Sequence, residues 1–180
     1  EGVGRPGDKI IFARASQDGQ TFGPTRRLNQ KGGAFMPFVA GDGQGAVYAA
    51  WVDERNGTNY DVYFNASHDA GQTWQTQDVR LSAGKPGETT SIDPVFATDA
   101  NSVWLAWSES NRKENRTAIM IRSSPDRGQK WSDARTISHR EDAPTGLHLV
   151  KLPAARGHRL VLYWFNQSAL SGAYSDDGGR

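Results

Sequence analysis

The stretch SHDAGQTW, residues 67–74, recurs along the chain at a nearly constant interval. SPDRGQKW, residues 124–131, matches it at every position of the pattern S-x-D-x-G-x-[TK]-W. A copy one residue shorter, SQDGQTF, occupies residues 16–22, and a fourth, SDDGGR, occupies residues 175–180 without an aromatic residue. The serines that begin the copies are 51, 57 and 51 residues apart. Four copies at this spacing indicate a fold built from repeated structural units.

The segments between the copies repeat as well, and each has the composition of a short β-strand. Strand A begins at a proline in two repeats, strand B ends at a tryptophan, strand C precedes the motif serine, and strand D follows the motif's aromatic residue. All are rich in Val, Ile, Tyr, Phe and Trp, and turn-forming Gly, Asp and Asn separate them. Four antiparallel strands in each period of about 50 residues predict an all-β fold, a β-propeller of four-stranded blades. The anchor residues of strands A and B are Pro37, Trp51, Pro94, Trp107, Leu147 and Trp164.

The same pattern divides the chain, taken as one domain over residues 1–180, into blades. Residues 1–36 supply strands C and D of a first blade, residues 37–92 and 93–146 supply two complete blades, and residues 147–180 begin a fourth. The chain therefore holds about three and a quarter blades. An open arc leaves apolar blade faces uncovered. We expect the ring to be closed by the rest of the same propeller or by a second copy of the chain.

Every defining residue of the motif has a folding role. The serine hydroxyl and the aspartate carboxylate can bind backbone groups within the turn between strands C and D. Glycine tolerates positive φ, and the aromatic ring can pack between neighbouring sheets. Because a catalytic group would not recur at four equivalent places, we interpret the motif as structural. Its members are Ser16, Asp18, Phe22, Ser67, Asp69, Gly71, Trp74, Ser124, Asp126, Gly128, Trp131, Ser175, Asp177 and Gly179.

The motif resembles the Asp-box, or bacterial neuraminidase repeat, of the sialidase superfamily, and the resemblance extends over essentially the whole chain. It implies a propeller, six-bladed in the family's enzymes, that binds ligands on the face opposite the Asp-boxes. The family's sialidases hold the substrate carboxylate with the arginine of an R-I-P motif on a strand A, and they carry an acid after strand B. Phe35 stands at that arginine position here, and residues 56–60 contain no carboxylate.

The loops after strand B supply the candidate ligand contacts, because the resemblance places them on the ligand-binding face. Arg55 matches the arginine that follows strand B in sialidases, and arginine forms forked bonds to carboxylates and sugar hydroxyls. For the triplet that contains it, residues 53–55, an inter-blade salt bridge or a solvated loop is the alternative. For the two arginines of the next repeat, the alternative is a solvated loop. The candidates are Asp53, Glu54, Arg55, Arg112 and Arg116.

Composition limits the classes of function. The net charge is +1, which disfavours a nucleic-acid binder that relies on a positive field. No apolar run reaches the length of a membrane span. The chain has no cysteine, which is common in secreted, periplasmic or cell-surface bacterial proteins. No histidines have metal-ligand spacing, so we expect neither a metal nor another cofactor.

Three functions remain open. The missing arginine and acid favour an exported propeller that binds a glycan or a protein through the face opposite the Asp-boxes, rather than an enzyme. The second hypothesis is a glycoside hydrolase of the exo-sialidase type whose catalytic residues lie partly outside this chain. The third is a scaffold for protein assembly.

Overall fold

The computed structural model describes residues 9–140, 144–154, 157–166 and 169–177, and every regular element in them is a β-strand. These residues contain no helix long and apolar enough to cross a membrane. The strands are β1 (Phe12–Ala13), β2 (Arg26–Arg27), β3 (Ala34–Gly41), β4 (Val47–Asp53), β5 (Asp61–Ser67), β6 (Val79–Arg80), β7 (Thr90–Thr98), β8 (Val103–Asn111), β9 (Arg116–Ser124), β10 (Arg135–Arg140), β11 (Pro144–Pro153), β12 (His158–Asn166) and β13 (Ala169–Ser175).

Consecutive strands pair antiparallel in four separate sheets. The first sheet is β1-β2, the second β3-β4-β5-β6, the third β7-β8-β9-β10 and, within the described residues, the fourth β11-β12-β13. Strand order in each sheet follows chain order, and β7 contacts both β3 and β11, so the A strands lie innermost. The architecture confirms the predicted all-β propeller of four-stranded blades with partial blades at both ends.

The core is divided among three seams between successive sheets. In seam 1–2, Trp51 and Tyr63 pack against Ile11 and Leu28 of the first sheet. Seam 2–3 contains Trp107 together with side chains of β4 and β5. Seam 3–4 joins β8 and β9 to β11 and β12, with Trp164 among its buried residues. The tryptophans that end strand B are therefore packing residues.

Strand A of the second, third and fourth blades starts three or four residues before the leading residue Pro37, Pro94 or Leu147 that marked it in the sequence. In each case a β-bulge interrupts the pairing with strand B. A bulge shifts side chains out of simple alternation, so the first residues of the strand do not have a strand-like pattern in the sequence. The strands begin at Ala34, Thr90 and Pro144. At the bulges, φ is +50° at Met36, +54° at Asp93 and +60° at Gly146.

The motif turns are held by their own serine and aspartate. Ser67 Oγ donates to Asp69 Oδ1 at 2.8 Å and accepts the N–H of Gly71 at 2.8 Å, and Asp69 accepts the N–H of Thr73 at 2.8 Å. The third turn repeats these bonds from Ser124, Asp126 and Lys130. Hydrogen bonds from the side chain and backbone of Thr73 lower the pKa of Asp69 to about 2. Gly179 lies outside the described residues.

A second aspartate, in the turn between strands A and B, joins neighbouring blades. Asp42 Oδ1 accepts backbone N–H groups within its turn, while Oδ2 accepts two bonds from Arg127 of the third blade, at 3.1 and 2.8 Å. In the next repeat Asp99 binds Lys151 of the fourth blade at 2.8 Å. Each of these two turn aspartates therefore ties its blade to a cation of the following blade.

Candidate functional site

The two faces of the propeller carry different parts of the repeat. The motif turns and the turns between strands A and B lie on one face, which we call the box face. The loops from B to C and from D to A lie on the other, the loop face. The loop at residues 54–60 and the start of β7 lie on the loop face, and the sequence-predicted contacts are found there.

Arg55 lies in a buried ion-pair cluster with two carboxylates. Its Nε and one terminal nitrogen bind Asp53 at 2.9 and 2.5 Å, and both terminal nitrogens bind Asp78, at 3.0 and 2.8 Å. The guanidinium also lies over the ring of Tyr63, 3.9 Å from its centroid. The side chains of Arg55, Asp53 and Asp78 are 7%, 0% and 3% exposed. Asp78 further accepts the backbone N–H of Gln30 from the first blade.

This ion-pair cluster lies within the second blade and reaches the first blade only through the bond from the Gln30 N–H to Asp78. The inter-blade salt bridge that the sequence left open for residues 53–55 is formed by Glu54, with Lys9 of the first blade. Burial alone would lower the pKa of Arg55, but hydrogen bonds to Asp53 and Asp78 raise it above its ordinary value. Four of the five guanidinium N–H groups are used within the protein, so the cation is not directed at a ligand. Asp53 is equally committed, because it also accepts the indole N–H of Trp51 at 3.0 Å.

The other three candidates lie apart from this cluster. Glu54 is partly exposed and binds Lys9 at 2.8 Å. Arg112 and Arg116 are both exposed in the equivalent loop of the third blade. The latter forms a 3.6 Å ion pair with Glu114. An exposed loop of alternating charge matches the solvated alternative.

A carboxyl group that the sequence analysis missed lies nearer the propeller axis. Asp93 occupies the bulge of β7, where the equivalent residues are Met36 and Gly146, and its side chain is half-buried. Burial raises the pKa of Asp93, and a hydrogen bond from the Gly146 backbone offsets only part of that effect. A carboxyl that is held in a strained, partly dry position is a candidate functional group. The sequence signal that could have identified Asp93 is its charge, because the equivalent residues Met36 and Gly146 are uncharged.

An aromatic and polar patch lies on the loop face, where the loop at residues 54–60 meets the start of β7. The rings of Phe35 and Tyr60 meet edge to face, with centroids 5.1 Å apart. Thr90 Oγ1 donates to Asn59 Oδ1 at 3.2 Å. The backbone N–H of Ser91, the next residue, donates to the carbonyl of Tyr60 at 2.8 Å. The side chains of Phe35, Asn59, Tyr60 and Thr90 are half-buried. We call these four residues with Asp93 the axial patch.

The axial patch consists of rings, an amide, a hydroxyl and one carboxyl. In the described part of the chain, no three His, Asp or Glu side chains converge as metal ligands. Phe35 and its counterpart Ile92 stand at the positions that align with the R-I-P arginine, so neither supplies a cation. The patch can therefore offer stacking surfaces and neutral hydrogen bonds, with one carboxyl three residues after Thr90 on β7.

Taken with the fold, these features define part of a β-propeller built from four-stranded blades. Among solved structures, the Penicillium chrysogenum alpha-L-arabinanase complexed with arabinobiose is similar, with a TM-score of 0.67 and 17% identity over 97% of this chain and 57% of that one. Trypanosoma rangeli sialidase is similar with a TM-score of 0.52 and 13% identity, over 97% of this chain and 34% of that one. The chain thus spans little more than half the length of the first and about a third of the second. No family model and no curated protein matches the sequence.

Proposed function

We propose that this chain is part of an exported propeller that binds a neutral glycan through the axial patch. The observation that carries the proposal is the edge-to-face pair of Phe35 and Tyr60 beside Asn59 and Thr90. Sugars have C–H faces that pack on aromatic rings and hydroxyls that pair with amide and hydroxyl groups. The axial patch therefore supplies both kinds of group that a sugar ring needs, aromatic rings and neutral hydrogen-bonding side chains.

The ligand is neutral in this proposal because the described residues of the loop face include no free buried cation for a carboxylate. Arg55 is neutralised by Asp53 and Asp78, and Phe35 replaces the arginine that sialidases use. Charge-assisted contacts are the strong ones in carboxylate recognition, and their loss weakens binding of an acidic sugar most. Arabinobiose, bound in the Penicillium arabinanase structure, is therefore a better first probe than a sialoside.

Isothermal titration calorimetry of the chain with arabinobiose, other uncharged oligosaccharides and sialyllactose tests this proposal. We expect binding of a neutral oligosaccharide and none of sialyllactose, and we expect no release of sialic acid from a fluorogenic sialoside. Phe35→Ala and Tyr60→Ala should each weaken binding by about tenfold or more, the effect of removing a stacking ring. Phe22→Ala is the matched control, since that ring is exposed on the box face.

The proposal fails if the folded, unmodified chain binds no neutral oligosaccharide. It also fails if binding is unchanged in both Phe35→Ala and Tyr60→Ala. Saturable binding of a protein ligand that these two variants abolish would assign the patch to the protein-binding alternative instead.

A glycoside hydrolase is the second candidate, and Asp93 is the observation that favours it. A general acid for glycoside cleavage must be protonated near neutral pH, so a raised pKa is the required direction. Hydrolysis would also require a second carboxylate. Release of arabinose from arabinobiose, lost in Asp93→Asn, would support hydrolysis, whereas binding without turnover favours the first proposal.

A further inference from the structure

A charged pair lies beside the ring of Phe35, at the edge of the axial patch. Lys9 Nζ is 5.0 Å from the centroid of that ring and donates to Glu54 Oε1 at 2.8 Å. Within the described part of the chain, no other Lys or Arg side chain lies over a ring of this patch. A cation this close to an aromatic face is attracted to it. The ammonium therefore lies where a sugar that packs on Phe35 would meet it.

The backbone holds the charged pair next to the ring. The carbonyl of Lys9 accepts the N–H groups of Gly33 and Ala34, both at 3.1 Å. The carbonyl of Gly33 in turn accepts the N–H of Glu54 at 3.0 Å. A Cβ on Gly33 would lie 3.2 Å from Cγ of Glu54, so glycine leaves the room that the glutamate needs. Because Phe35 follows these residues in β3, the same main-chain bonds position the ring and both charged side chains.

The pair is open to solvent, unlike the ion-pair cluster next to it. The side chain of Lys9 is 50% exposed and that of Glu54 is 37% exposed, whereas Arg55 is buried between two carboxylates. A ligand can therefore reach the ammonium of Lys9 without a change in the fold. Arg55 cannot serve in this way, because Asp53 and Asp78 already bind it.

Glu54 decides which charge a ligand meets at this place. An unpaired ammonium would bind the carboxylate of an acidic sugar through charge-assisted hydrogen bonds. With Glu54 2.8 Å from Lys9, the pair is neutral, and a ligand carboxylate would have to displace Glu54 or lie close to a like charge. The hydroxyls of a neutral sugar meet no such repulsion, since they can donate to the glutamate and accept from the lysine.

We propose that Glu54 is the specificity-determining residue of the axial patch. It neutralises Lys9, and the patch thereby selects uncharged sugars over sugars that carry a carboxylate. This inference rests on the proposed function, because it requires that a sugar packs on Phe35. Removing the charge of Glu54 should extend binding to sugars of the uronic acid class.

Two disaccharides that differ only in charge provide the test. Digalacturonate carries a carboxylate on each ring, and galactobiose of the same linkage has a hydroxymethyl group in its place. Both are titrated by isothermal titration calorimetry into the unmodified chain and into Glu54→Gln, which keeps the shape of the side chain. The readout is the ratio of the two affinities. We expect Glu54→Gln to shift this ratio towards digalacturonate by about threefold or more, the scale of one exposed charge pair.

Further measurements assign the shift to Lys9. Lys9→Met in the Glu54→Gln background should abolish it, because the cation is then absent. Raising the salt concentration from about 0.05 M to about 0.5 M should reduce it, since salt screens exposed charges. Glu114→Gln is the matched control. It removes the partner of Arg116, 3.6 Å away in an exposed pair of the equivalent loop, and should leave the ratio unchanged.

Three results would overturn the role of Glu54. These are an unchanged ratio in Glu54→Gln, a shift that survives Lys9→Met, and an equal shift in Glu114→Gln. Arabinobiose separates this failure from failure of the proposed function. If the unmodified chain binds arabinobiose and Glu54→Gln does not shift the ratio, only the role of Glu54 is refuted. If the unmodified chain binds no neutral oligosaccharide, the proposed function fails and this inference fails with it.

Discussion

Arg55 binds Asp78 through two parallel hydrogen bonds, 3.0 and 2.8 Å long, across 23 residues of sequence. The same guanidinium binds Asp53, and Asp78 in turn holds the backbone of the first blade through Gln30. A residue that resembles a ligand-binding arginine by its position after strand B is thereby used to fasten seam 1–2. The difference arises because two carboxylates, rather than a ligand, face the cation.

Replacing Arg55 with Ala should destabilise the fold strongly. The change would leave Asp53 and Asp78 buried without their cation, and breaking a buried ion pair in this way costs about 3–5 kcal/mol. Arg55→Lys should be intermediate, because lysine keeps the charge but not the fork. Chemical denaturation measures the effect. Arg112→Ala, in the exposed equivalent loop, is the control and should change the free energy of unfolding by less than about 0.5 kcal/mol.

Gly128→Ala should destabilise the protein through contact with the preceding blade. An added Cβ would lie 2.7 Å from Cζ of Phe64, at a residue with φ of +85°. Overpacking and an unfavourable φ together should cost about 2–4 kcal/mol. Gly19→Ala separates the two effects, because φ there is +72° and nothing lies within 4 Å. A cost at Gly128 no larger than that at Gly19, measured by denaturation, would show that Phe64 moves aside freely.

The motif aspartates should make the fold sensitive to acid. The pKa values of Asp18 and Asp69 are lowered to about 2, in Asp18 chiefly by the N–H groups of Thr21 and Gln20 and in Asp69 chiefly by Thr73. A carboxyl whose pKa is lower in the folded state contributes stability that is complete above its unfolded pKa, about 3.9, and is lost as the pH falls through the folded pKa. Stability should therefore decline between about pH 4 and pH 2.

Asp69→Asn provides the test of that pH dependence. The amide oxygen can still accept a hydrogen bond, but the side chain no longer titrates. Urea denaturation from pH 5 to pH 2 should show a shallower decline for this variant than for the unmodified chain. His68→Gln, next to it and exposed on the turn, is the control and should not alter the slope in this range. Identical slopes for Asp69→Asn and the unmodified chain would contradict the assignment.

The repeat made the architecture predictable, because each strand occurs in register in several copies. The segment that ends at Trp164 illustrates this, since it reads as strand B from its two earlier copies and forms β12. Contacts outside the repeat were not predictable. The pairing of Asp42 with Arg127 joins residues 85 positions apart, and no local pattern records it. The bulge at Asp93 was also hidden, because it breaks the alternation by which strands are recognised.

Asp93 offers the last test, because stability and function should respond to it in opposite directions. A carboxyl whose pKa is raised in the folded state stabilises the fold only while it is protonated, and as the pH rises above its unfolded pKa the buried charge becomes a cost. Asp93→Asn removes that cost and keeps an oxygen that can accept the N–H of Gly146. The variant should therefore have a higher Tm than the unmodified chain at pH 7, and the difference should shrink below about pH 4.

If the axial patch binds a glycan, the same variant should bind arabinobiose more weakly, because the amide is a poorer acceptor for a sugar hydroxyl than a carboxylate. Thermal unfolding and calorimetry on one preparation provide both readouts. A variant with a lower Tm and unchanged affinity would contradict this prediction. It would show that Asp93 links the third blade to the fourth and does not contribute to ligand binding.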